Sequence, residues 1–130
     1  METADELVPA LETVLRELQL AARDLRARFD DLARRNATIT ELALADAVKR
    51  HPELREPAAR LAELAGKIES FGCFLKDIDL GLVDFPCEID DDVVFLCWQS
   101  GEPRVIAWHP VEGGFADRKP LPGAPKRYLN

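Results

Sequence analysis

The sequence predicts an α+β fold: an N-terminal long antiparallel helical hairpin packed on a small C-terminal antiparallel β-sheet of three or four strands. Three observations predict it. Apolar residues recur at alternating spacings of four and three through the first 70 residues, the period of an amphipathic helix. Composition turns over near residue 72, with eight of the nine aromatics in 71–130 and six of the seven glycines at or after Gly72. From residue 83 the apolar period falls to two, the period of a half-buried strand. With 130 residues in all, the chain is one domain, 1–130, divided into a helical half (1–72) and a β-rich half with an irregular C-terminal tail (73–130).

The helices follow from local signals. Thr3-x-x-Glu6 is a capping box. After it Leu7, Leu11, Val14, Leu18, Ala21, Leu25, Phe29 and Leu32 form a stripe about 30 residues long. Pro9 either kinks this helix or marks its true start. Arg34 to Ala37 is the turn, and Thr38-x-x-Glu41 opens a second helix through Leu42, Ala45 and Val48 that stops at His51-Pro52. A third carries Leu54, Ala58, Leu61, Ala65 and Ile68 and ends at Gly72, a suitable C′ residue.

Strands are expected at 83–89, 93–99 and 105–109, with a short earlier one near Phe74-Leu75. Asp90 to Asp92 and Ser100 to Pro103 form the turns. Gly113-Gly114, Pro120, Pro122 and Pro125 predict an irregular wrap. A three-residue first turn places Ile89 opposite Val93, and a four-residue second turn places Gln99 opposite Arg104. Val83, Phe85, Cys87, Ile89, Val93, Phe95, Cys97, Ile106 and Trp108 then face the helices. Asp84, Pro86, Glu88, Val94, Leu96, Trp98, Val105, Ala107 and His109 face outward. Asp84 shares a row with Trp98, and Glu88 shares one with His109. An outer face this apolar needs a cover: a second subunit, the C-terminal segment or a ligand. A slip of one residue in the first hairpin would invert the assignment.

Charge excludes some classes. A net charge of −7 with a pI near 4.8 disfavours nucleic acid. The longest apolar run, Val93 to Trp98, is far shorter than a membrane span. Seven acids and no base lie in 77–92, and four bases and no acid in 118–127. Three cysteines without C-x-x-C spacing, and an acidic start without a basic leader, predict reduced thiols and a cytoplasmic protein. Cys73, Cys87 and Cys97 sit in apolar surroundings and are expected to act as small core residues.

Lys76-Asp77, Gly81 to Pro86, Leu96-Cys97-Trp98, Gly101-Glu102, Trp108-His109, Gly114-Phe115, Arg118 and Pro120-Leu121 make up a specific string. It resembles a family of small bacterial proteins known only as a domain of unknown function, with the pattern K-D-x-x-x-G-L-V-D-F-P, L-C-W-x-x-G-E, W-H and G-F-x-x-R-x-P-L. The likeness is strongest over 71–121. Family members often carry Gly-Arg where this chain has the acidic turn, and Gly where Asp117 stands. The resemblance implies no particular activity.

The residues themselves support two classes of function. An oligomeric interaction or ligand-binding module would use the outer sheet face, with Trp98, Glu88 and Glu102 as contact residues and a homodimer, a protein or a small molecule as partner. Alternatively, a small metal-dependent or acid–base enzyme would centre on His109 and the nearby carboxylates. Asp84, Glu102 and His109 are ligand types for a divalent metal such as zinc, manganese or iron; the sequence names no other cofactor. Without a metal, His109 would act as base, oriented by Asp84 or Glu88, with Arg118 holding an anionic group. Cys97 as a nucleophile is disfavoured by the expected register, which sets it opposite to His109. A concave pocket holding His109 and a carboxylate would point to an enzyme, and a flat buried face to assembly.

Overall fold

The computed structural model describes residues 4–36 and 43–121. Helix α1 runs Ala4–Arg35, α2 Leu44–Arg50 and α3 Arg55–Ser70, with a 3-10 turn at Pro52–Leu54 between the last two. Strands β1 (Phe74–Asp77), β2 (Leu82–Ile89), β3 (Asp92–Gln99), β4 (Ala107–Pro110) and β5 (Lys119–Pro120) form one antiparallel sheet in chain order. The α+β architecture is as expected, but the sheet has five strands rather than three or four. The additional strand lies in the tail that was expected to be irregular: Lys119 pairs with Trp108 and Pro120 with Ala107. Thr3, Thr38, Glu41, Leu42, Pro122 and Pro125, on which several expectations rested, lie outside the described residues.

Helix α1 continues through Pro9. Its apolar stripe buries Val8, Leu11, Val14, Leu15 and Leu18 against Leu64 and Ile68 of α3 and against Val83, Phe85 and Trp98 of the sheet. Farther along, Leu25 and Leu32 pack with Leu54 and Ala47. The start of α1 thus meets the end of α3 and the end of α1 meets its start, which makes the pair antiparallel. Each fully buried aliphatic side chain contributes about 1.5–3 kcal/mol, so the stripe is the main source of cohesion. Gly72, at φ +86°, ends α3 as expected. No described helix is long and apolar enough to cross a membrane.

Polar residues on α1 set its position over the sheet. Asp5, Glu12 and Gln19 are seven apart and lie along one line of the helix. Asp5 accepts from the Val105 N–H at 2.8 Å, Glu12 from the Ser100 hydroxyl and the Gly101 N–H, and Gln19 donates to the Ile78 carbonyl at 2.9 Å. All four partners lie in the connections before β2 and after β3. Gly81 must be glycine there: its φ is +69°, and a Cβ would lie 2.6 Å from that of Ser100.

The register departs from expectation in two places. The first hairpin turn holds two residues, Asp90 and Asp91, both left-handed at φ 51° and 69°. This is the twist that suits a two-residue hairpin, and aspartate tolerates it better than most residues. Asp92 therefore begins β3 opposite Ile89. The second connection is longer than four residues. The Val105 N–H goes to Asp5 and the Ile106 carbonyl to Leu121, so pairing with β3 begins at Ala107 rather than Val105. Together the two offsets shift β4 by two residues against β2, one full strand period, so they keep its face and invert β3 alone. Asp84 and His109 do share the outer face. Trp98, Leu96 and Val94 turn to the helices, while Val93, Phe95 and Cys97 turn outward.

Candidate functional site

The outer face is built around Asp84, Cys97 and His109 from three adjacent strands. Asp84 pairs directly with Cys97, and Phe95 with His109, so His109 stands diagonally across from Cys97. The residue directly opposite Cys97 on β4 is Ala107, whose small side chain leaves the imidazole room to reach across. All three groups are buried, at 4%, 2% and 3% exposure.

Hydrogen bonding fixes the imidazole. His109 Nδ1 lies 2.8 Å from the Pro110 carbonyl oxygen, which also accepts from the Gly113 N–H at 2.9 Å. A carbonyl only accepts, so Nδ1 carries a hydrogen. Nε2 lies 2.9 Å from Asp84 Oδ2. Two lone pairs would repel at that distance, so a proton is held between them: the pair is either imidazolium with carboxylate or imidazole with carboxylic acid, with no net charge in either form. The Cys97 thiol beside them is pushed up to about 12, chiefly by burial. Arg118 opposes that shift, while the negative charge of Asp84 and its hydrogen bond to the thiol add to it. A thiol so fully protonated is a poor nucleophile. Cys97 does share a face with His109, contrary to the expected register, but this does not make it reactive.

These three side chains line a cavity of about 200 Å³ together with Lys76, Leu82 and Phe95. Its far wall is the loop after β4, through Val111, Gly113 and Gly114. The Lys76 ammonium sits 5.9 and 5.7 Å from the ring centres of Phe74 and Phe95. The face is therefore concave and covered in part by its own chain. A larger hollow of about 470 Å³ lies between α1 and α3, but its lining is largely solvated surface charge, including the ion-paired Asp24, Arg28 and Arg60.

The remaining candidates are placed elsewhere. Glu102 is buried against Arg118, whose Nη2 donates to both carboxylate oxygens at 2.9 and 2.8 Å, and its Oε1 also accepts from the Gln99 N–H. It is not part of the Asp84–Cys97–His109 cluster. Arg118, from the basic run, is thus spent on Glu102, and the pair fastens the C-terminal segment to the end of β3. Glu88 is exposed, opposite Val93 near the hairpin turn. Trp98 is fully buried in the core with its indole N–H donating to the Glu102 carbonyl at 2.9 Å, so it does not share the row of Asp84. The second histidine, His51, lies between α2 and the 3-10 turn, near Glu53. Sequence reasoning missed Lys76 and the placement of Cys97. A two-residue first turn would have brought Cys97 to the site, and the Lys76-Asp77 pair of the family string marked the other edge.

A helical pair laid on a five-stranded meander, with a buried Asp–His pair facing a cavity on the far side of the sheet, defines a small α+β protein with a pocket on its outer sheet face. The chain belongs to the family of uncharacterised conserved proteins designated DUF2203, whose family model matches residues 1–121. Comparison with curated proteins and with solved structures finds no match.

Proposed function

We propose that this protein is a ligand-binding module whose site is the outer-face cavity, and that it takes a small anion that exchanges a proton with the Asp84–His109 pair. The observation that carries the reading is that the pair is almost fully buried yet lines an open cavity. A pair serving stability alone gains little from such a place, because burying two polar partners costs about as much as their attraction returns. Lys76 supplies positive charge at the cavity, where its ammonium lies over the aromatic faces of Phe74 and Phe95. The same groups support an acid–base enzyme as the alternative, with His109 as the proton-transfer group and Asp84 orienting it. A role for Arg118 or Glu102 in that chemistry is not supported, since each occupies the other.

The test follows the His109 ring signals by NMR while acetate and inorganic phosphate are added separately. The expected result is a saturable shift with at least one of them, weakened in Lys76→Ala and abolished in Val111→Trp, which fills the cavity from its exposed edge. Unmoved ring signals at saturating concentrations of both would overturn the reading.

A homodimer is a second reading, supported by Phe74 and Val93, which are 49% and 53% exposed on the same outer face. The free state of all three cysteines supports a reducing, cytoplasmic setting.

A further inference from the structure

We propose that Asp84, Cys97 and His109 form a site for one transition-metal ion of the zinc class, with its open coordination position facing the cavity. The inference rests on the pocket reading above and gives that site its cofactor.

Four observations carry it. The donor atoms, a carboxylate oxygen, a thiol sulfur and an imidazole nitrogen, all lie within 4.8 Å of one another. Zinc bonds of about 2.0–2.3 Å in tetrahedral geometry set ligand atoms about 3.3–3.7 Å apart, so side-chain movements of up to about 1.5 Å close the set. A mixture of oxygen, nitrogen and sulfur suits zinc or cobalt rather than magnesium or calcium. The Pro110 carbonyl holds the Nδ1 hydrogen of His109, the outer partner that a metal-bound histidine requires to direct its other nitrogen at the ion. Finally, three protein ligands beside a cavity leave a fourth position for water or a small anion, the arrangement of a reactive rather than a structural zinc site. The ion would take the place of the proton now held between Asp84 and His109 and would also release the Cys97 thiol proton to solvent, since only the thiolate ligates. Glu102, a metal-ligand type by sequence, has no part in the set.

The experiment uses tag-free, full-length protein stripped with a chelator and titrated with Co²⁺, then Zn²⁺. The expected result is about one cobalt per chain, with tetrahedral visible bands and a thiolate-to-cobalt charge-transfer band, all removed by zinc. Cys97→Ser should lose the charge-transfer band, His109→Gln should bind cobalt about tenfold or more weakly, and Cys87→Ser should behave as the parent. Binding below about 0.1 cobalt per chain, or a charge-transfer band that survives in Cys97→Ser, overturns the proposal. Should Cys97→Ser not fold, as judged by circular dichroism, undiminished cobalt affinity in Asp84→Asn and His109→Gln overturns it instead. If the metal-free protein binds acetate or phosphate at the cavity but no cobalt, the metal inference falls and the pocket reading stands; if it binds none of these, both fall.

Discussion

At the scale of single residues, burial decides chemistry here. Cys73 and Cys97 carry thiols pushed up to about 11 and about 12, in both cases mainly by loss of hydration. At pH 8 iodoacetamide should therefore modify the half-buried Cys87 while sparing both others until the protein is unfolded in urea; mass spectrometry of the alkylated chain reads this out. A stability consequence follows with a definite sign. The unfolded chain sheds both thiol protons above about pH 9, whereas the folded chain keeps them until about 11 and 12, so their contribution is whole below pH 9 and is lost as pH rises through that window. Unfolding free energies from urea titration should fall from pH 9 upward by at most about 1.4 kcal/mol per pH unit for each thiol. A flat profile would show that neither thiol is held protonated. The Glu102–Arg118 pair shows burial acting on charge: removing one partner would strand the other, at a cost of about 3–5 kcal/mol.

At the scale of elements, the turn between β2 and β3 determines which groups reach the outer face. Asp90 and Asp91 hold left-handed conformations that Asn-Gly adopts more readily. Asp90→Asn with Asp91→Gly should raise stability by about 0.5–1 kcal/mol, measured by urea unfolding, without altering the register. Destabilisation by that pair would mean the aspartates make contacts beyond the turn itself. This turn also marks the limit of what was legible in advance. Helix α1, α3 and the Gly72 stop were readable because four-three spacing and a positive-φ glycine are local signals. The strands were readable as strands from their period of two. Their register was not, because Asp90-Asp91-Asp92 offers both a two-residue and a three-residue turn, and because Val105 is diverted by Asp5, a residue 100 positions away. Asp84 and His109 were correctly placed on one face only because the two offsets add to two residues, a full strand period. The polar line Asp5, Glu12, Gln19 was visible as a spacing of seven but carried no sign of what it would grip.

At the scale of the whole molecule, one core joins α1, α3 and the sheet, and both helices run on into the smaller cluster around Leu54, with Leu61 of α3 packed against each. The outer face has its own partial cover, so the homodimer reading now rests on its rim. Light scattering at micromolar concentration should give twice the chain mass, and Val93→Glu should return a folded protein to the single-chain mass. A parent protein already at the single-chain mass would remove that reading. The substitution belongs at Val93 rather than Trp98, because a charge at Trp98 would fall inside the core and unfold the protein regardless of assembly.

The Pro110 oxygen has two lone pairs and both are engaged, one by the imidazole and one by the glycine loop. Ring and loop are therefore hinged on a single atom. A displacement of the loop must therefore loosen the histidine's anchor, and a turn of the ring must be felt at the cavity wall.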